Sequence, residues 1–119
     1  HPMTDSERRH FHRIPFHTEV ILSQAGFHWH AQLFDISLKG LLVEGALPEE
    51  VDPDAPVRAE IALSEQQEIC MQTQVAHRES DHTGLNCTSI DVTSIRHLRR
   101  MLELNIGAEA AERELHELL

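Results

Sequence analysis

Three arginines fall within six residues near the start of the chain, in the stretch Arg8-Arg9-His10-Phe11-His12-Arg13, which contains no acid. The arginine fork grips phosphate oxygens in pairs, meets the O6 and N7 edge of guanine and stacks on aromatic rings. The preference runs through the chain, where nine of the ten basic residues are arginine and Lys39 is the one lysine. About twenty residues further on comes Asp35-Ile36-Ser37-Leu38-Lys39-Gly40. Asp35 and Ser37 are two apart, so on a strand they share a face, and Gly40 permits a tight turn and a close backbone approach. A carboxylate can accept from the N1-H and N2-H edge of a guanine, and a hydroxyl can hold a phosphate or sugar oxygen. Taken singly, the first segment reads as a solvated charge run and the second as an Asx or Ser turn between strands. Taken together, they supply phosphate grips and guanine partners.

Other reactive side chains lack the company that chemistry needs. His28-Trp29-His30 puts two of the ten histidines on one strand face, but a zinc site requires three or four convergent ligands and neither Cys70 nor Cys87 has metal spacing. These histidines read as solvent-facing strand residues with Trp29 on the opposite, core face, so no metal site is expected. Neither cysteine has a supporting nucleophile motif, and both read as inert. Arg96, Arg99 and Arg100 read as a solvated helix face paired with Glu103. No acid-base pair or nucleophile stands beside a phosphate cradle, so no catalytic residue and no enzyme are expected.

The elements that must position the arginines and the Asp-Ser-Gly segment follow from periodicity. From residue 18 the pattern is period two, as in half-buried strands: Thr18-Val20-Leu22 alternate with Glu19 and Ser23, Gly26 marks a turn, and Phe27-Trp29-Ala31-Leu33 alternate with His28-His30-Gln32. At Leu33-Phe34 the parity slips. A bulge there would swap the faces, making Phe34 and Ile36 the buried set and turning Asp35 and Ser37 away from the core. Further strands are expected at Leu41 to Glu44, Val57 to Leu63, Ile69 to Val75 and Leu85 to Ile90, with Pro48 to Pro56 as a surface loop. Five or six short strands joined by turns read as a small antiparallel barrel, since closure removes edges that would pair with other chains. Asp91 or Thr93 can cap a helix with Ile95, Leu98, Leu102 and Ile106 on one face, Asn105 and Gly107 supply a stop, and residues 108–119 form a second helix with Ala111, Leu115 and Leu118 on one side.

The chain has 119 residues and 13.6 kDa, enough for one domain with a modest core. Ten basic against twenty acidic residues give a formal net charge of -10, which disfavours non-specific binding to nucleic acid polymers. A basic arm is attached to an acidic body. No apolar run approaches the ~20 residues of a membrane-spanning helix, so no membrane insertion is expected. Two cysteines and no signal peptide point to a reducing, cytoplasmic compartment. His1-Pro2 ahead of Met3 reads as an added leader, with the natural chain expected to begin at Met3.

Arg9-x-x-x-Arg13, a stretch of strand, then Asp35-x-Ser37-x-x-Gly40 ending a strand resembles the PilZ domain, the bacterial receptor module for cyclic di-GMP, over essentially the whole chain. The resemblance is strongest to small stand-alone members. It implies a mainly β fold: a six-stranded antiparallel PilZ-type barrel (16–91) with a flexible basic arm (3–15) and two C-terminal helices (92–119). It also implies a ligand site at Arg9, Arg13, Asp35, Ser37 and Gly40. Where relatives run three arginines before the phenylalanine, this chain has Arg8-Arg9-His10, and where some relatives place a stacking aromatic near the end of the penultimate strand, it has His77-Arg78. Arg8, His10, His77 and Arg78 therefore complete the expected ligand-binding set. An arginine ahead of the Arg-x-x-x-Arg motif goes in this family with a stacked pair of ligands, so Arg8 implies two cyclic di-GMP molecules per chain and no other cofactor. The expected mode of action is a monomer that signals through an effector protein of the motility or chemotaxis machinery, in biofilm and motility regulation. The arm is expected to be mobile until the ligand folds it across the barrel, seats Phe11 and displaces the acidic tail helix. The alternative is a PilZ-like protein-interaction adaptor with weak or no nucleotide binding; a histidine-based metal-binding protein is a further rival.

Overall fold

The computed structural model describes residues 11–118. Its elements in chain order are β1 (Ile14–Pro15), β2 (Glu19–Gln24), β3 (Phe27–Ser37), β4 (Gly40–Glu44), β5 (Val57–Ala62), β6 (Glu68–Arg78), β7 (His82–Ile90), α1 (Val92–Ile106) and α2 (Ala108–Leu118). Strands β2 to β7 close into an antiparallel barrel: β3 pairs with β2, β2 with β5, β5 with β6, β6 with β7, β7 with β4, and β4 returns to β3. The short β1 adds to β3 through Ile14 opposite Ile36 and Pro15 opposite Asp35. The alternation expected from the sequence is what fills the interior. Val20, Leu22, Leu33, Ile36, Val57, Ala59, Ile61 and Ile69 are all fully buried.

The parity slip is a bulge. The β3–β4 register steps from Leu33 opposite Val43 to Asp35 opposite Leu42, so Phe34 is the extra residue. Phe34 was expected in the core with Ile36; it is half-buried and stays out of the core cluster. The reason is that the inserted residue itself leaves the ladder, while Leu33 and Ile36 resume inward positions on either side of it. The β6–β7 hairpin also runs further than alternation suggested, through His77 opposite Gly84 and Arg78 opposite Thr83. Backbone pairing carries those positions, although their polar side chains break the apolar pattern.

Helix α1 starts where Asp91 caps it. The carboxylate accepts from the Ser94 N–H at 3.0 Å and from the Ser94 hydroxyl at 2.6 Å, which satisfies an otherwise orphan amide of the first turn. The same hydroxyl accepts from the Cys70 N–H at 2.8 Å and so docks the helix start on β6. Leu98 and Leu102 are fully buried beneath α1 and Ala111 beneath α2; burying a leucine side chain contributes roughly 1.5–3 kcal/mol. The arginine face is paired as expected: Arg99 meets Glu103 at 3.5 Å and Glu112 on α2 at 2.9 Å, and Arg100 meets Glu103 at 3.7 Å.

In the arm, Phe11 and Ile14 are part of the core, 7% and 3% exposed. Two apolar side chains spaced to reach the barrel, together with the β1 pairing, outweigh the polar character of their neighbours. The His12 N–H donates to a Glu114 carboxylate oxygen on α2 at 2.9 Å, and its ring Nε2 lies 3.2 Å from the Asn105 side-chain oxygen.

Candidate functional site

The Asp35-to-Gly40 segment is the β3–β4 hairpin, and the bulge at Phe34 is what aims Asp35 outward. β1 runs beside it, so Arg13, one residue before β1, reaches Asp35. Its Nε lies 3.3 Å from the Asp35 Oδ1, with the two side chains 51% and 21% exposed. Ser37 was expected to face away from the core; it is buried, and its Oγ accepts from the Lys39 N–H at 3.1 Å. The Lys39 ammonium sits 5.3 Å above the Phe11 ring, so the tip of the hairpin meets the arm.

Gly40 is required by sterics. Its φ is +153°, and a Cβ there would run into the Leu85 carbonyl on the neighbouring β7. Any side chain would force apart the β4–β7 ladder, in which Gly40 faces Asn86. The hairpin thus brings its backbone close to β7 while leaving Asp35 accessible.

Register extends this hairpin into a face. Asp35 is opposite Leu42, Leu42 opposite Gly84, and Gly84 opposite His77. Paired residues of a sheet present side chains on one side, so these four form an outward row across β3, β4, β7 and β6, spanning roughly 14 Å at the usual strand spacing. Gly84 leaves the middle of the row flat, and the His77 Cβ already lies 3.0 Å from where a Gly84 Cβ would sit. Around this floor Arg13 and Asp35 form one wall and His77 the other. His77 lies 3.6 Å from a Glu79 carboxylate oxygen, and its ring centroid is 6.0 Å from that of His82. Arg78 is exposed one ladder step beyond, opposite Thr83.

Of the expected site residues, Arg13 and Asp35 are in contact, Ser37 and Gly40 share their hairpin, and His77 and Arg78 lie across the row without touching them. Arg8, Arg9 and His10 lie outside the described residues. Sequence reading missed Leu42, Gly84 and the anchoring Glu114. Gly84 was open to detection as the one glycine next to the last apolar alternation. Glu114, 9% exposed, has one oxygen on His12 and the other without a partner among the described residues; nothing local in a helical Glu-Leu-His-Glu marks it.

Neither cysteine competes as a reactive centre. Burial, reinforced by the neighbouring Glu68, pushes the Cys70 thiol up to about 11, and burial also raises Cys87; both stay protonated at neutral pH. Among the described residues no group of three histidine, cysteine, aspartate or glutamate side chains is placed to hold a metal ion, and no helix is long and apolar enough to cross a membrane. His30 is engaged instead with Glu19 at 3.1 Å.

Comparison with known proteins finds a family match and shared folds. The profile of the PilZ domain matches residues 7–104. Among solved structures, the PilZ domain of YcgR from Escherichia coli, solved with c-di-GMP, superposes with a TM-score of 0.65 at 17% identity, over 89% of this chain and 96% of that one. The Bacillus subtilis inhibitor of motility MotI/DgrA gives 0.65 at 17% identity over 83% of this chain, which spans only 51% of that protein. The PilZ domain of CeSA from a cellulose-synthesizing bacterium gives 0.57 at 18% identity, over 82% and 98%.

Proposed function

The chain belongs to the PilZ domain family, and from that premise we propose that it is a non-enzymatic cytoplasmic receptor for cyclic di-GMP, binding it on the outward face between the arm and the β3–β4 hairpin. The observation that carries the reading is the Arg13–Asp35 pair beside the Ser37–Gly40 turn. A guanidinium and a carboxylate at contact distance are the two halves of a nucleotide site. A ligand phosphate draws Arg13 from Asp35, and the freed carboxylate accepts from a guanine edge. Arg8, Arg9 and His10 extend the phosphate grip; His77 and Arg78 offer a stacking surface at the far end of the row. Arg8 supports two ligands per chain. The presence of c-di-GMP in the YcgR neighbour supports the ligand class.

In this reading the signal passes to a partner protein. The His12–Glu114 contact joins the arm to α2, so a ligand that moves the arm also moves the helix. The likeness to MotI, an inhibitor of motility, supports a motility-related partner. Isothermal titration tests the receptor reading: cyclic di-GMP should bind saturably, while GMP and cyclic di-AMP bind poorly. Absence of binding would overturn it in favour of a protein-binding adaptor, the reading favoured by a buried Ser37 whose Oγ already accepts from its own turn.

A further inference from the structure

The barrel is closed, yet among the described residues one strand has a stretch of edge without a ladder partner. β3 pairs with β2 through residues 27–32 and with β4 only from Leu33 onward. β4 ends at Glu44, and the chain then leaves the sheet, so among the described residues the side of β3 away from β2 has no ladder partner along its first half. The direction of the backbone groups follows from one bond. The Leu33 N–H donates to the Thr18 carbonyl on the β2 side at 2.8 Å, and alternation along an antiparallel strand then turns the N–H and C=O of His28, His30 and Gln32 to the open side. All three residues are exposed, and no backbone partner meets them there among the described residues. The stretch carries no lysine, proline or bulge, the usual devices that blunt an edge.

Beside this edge lies a cavity of about 130 Å³, floored by Leu22 and lined by Trp29, Ala31, Val43, Ala46 and Leu47. It is similar in size to the ~150 Å³ apolar cavities that accept a benzene-sized group. An added strand would direct alternate side chains toward it. The rim is acidic. Glu44 lines the mouth, Asp81, whose carbonyl accepts from the Gly45 N–H at 2.8 Å, has a side chain 84% exposed, and Glu49 and Glu50 follow Leu47 closely and are exposed. Arg78 is two strands away, across Thr83 from Val43.

We propose that the His28–Gln32 edge of β3 docks an extended segment of a partner protein, with lysines or arginines alternating with aliphatic residues, as an added strand. Main-chain bonds supply affinity, and the cavity and acidic rim supply selection. A second copy of the chain is a poorer occupant, since edge-to-edge pairing would oppose two acidic rims in chains of net charge -10. The inference deepens the partner half of the reading above and rests on it only for the existence of a partner.

The test uses the full chain and a synthetic heptapeptide of alternating lysine and valine at low ionic strength, followed by amide hydrogen exchange and by the emission of Trp29, the one tryptophan. At saturating peptide, exchange at His28, His30 and Gln32 should slow at least tenfold and Trp29 emission should shift. Methylating alternate peptide amides, or replacing the lysines by glutamates, should abolish both effects. Ala46→Lys, an exposed site on the rim, should weaken binding at least tenfold, and His30→Pro, which removes an edge donor, should do the same; Ala46→Lys serves alone if the proline variant does not fold. Unchanged exchange at millimolar peptide, equal binding by the methylated or glutamate peptide, or a chain that sediments as a dimer with these amides protected would overturn the proposal. Cyclic di-GMP titrated into the same sample separates the two readings. Edge protection without nucleotide binding overturns the receptor reading alone, and nucleotide binding without edge protection overturns the edge alone.

Discussion

Replacing Arg13 by alanine separates the role of this side chain in the fold from its role in binding. Among the described residues it makes one ion pair, with Nε 3.3 Å from Asp35 and its own side chain 51% exposed. Pairs this open contribute about 0.2–1 kcal/mol, so the barrel should survive with a melting temperature lowered by no more than about 6 °C. A grip on a ligand phosphate is a charged hydrogen bond worth ~1.5–3 kcal/mol, or roughly 10- to 150-fold in affinity. Asp35→Asn keeps the shape and removes the carboxylate, and should fall in the same range. The double variant should lose less than the sum, because the pair that the ligand has to part is already absent. Titration of cyclic di-GMP into the four proteins, each with a thermal melt, measures all of this. Unchanged affinity in both single variants would refute the site, and a large loss of melting temperature in step with affinity would show that Arg13 acts on the fold.

Four other substitutions and reactions probe the rest of the molecule. Arg8→Leu should reduce the titrated stoichiometry from two ligands to one; a saturable 1:1 titration of the unaltered chain refutes the stacked pair. Gly40→Ala should destabilise the barrel markedly in chemical denaturation, because its Cβ meets the Leu85 carbonyl, and a change below ~0.5 kcal/mol, the span of an ordinary surface substitution, would contradict that reading. Asp91→Ala should cost ~1 kcal/mol as a lost helix cap. Hydrogen bonds from Ser94 hold the Asp91 carboxyl below its ordinary 3.8, so its contribution is present above that pH and lost as pH falls through the lower folded value; the pH dependence should flatten there in the variant. Cys70, raised to about 11, should react far more slowly with iodoacetamide at pH 8 than a free thiol does, and a rate equal to that of the unfolded chain would refute it.

The local order of the chain was legible because it rests on short-range rules. Alternation in Thr18 to Leu33 and Val57 to Val75 sets which side chains enter a barrel, a slipped parity at Leu33-Phe34 announces a bulge, and Asp91 and Gly107 mark helix ends through the hydrogen bonds that such ends leave open. The Arg-x-x-x-Arg and Asp-x-Ser-x-x-Gly spacings named the family, since both lie within single segments. Tertiary structure alone decided what depends on partners distant in sequence. Phe34 rather than a neighbour is extruded because the β4 register skips it. Ser37 is buried although it shares the Asp35 side of β3, and Phe11 is buried because residues 11–15 are tied to β3 and to Glu114, 102 positions from His12. The row from Asp35 to His77 exists only once four strands are in register, and the open β3 edge only because β4 stops short of it. Side-chain pattern specifies which face of a strand is buried; which strand lies beside it, and where that neighbour ends, is set by closure of the whole barrel.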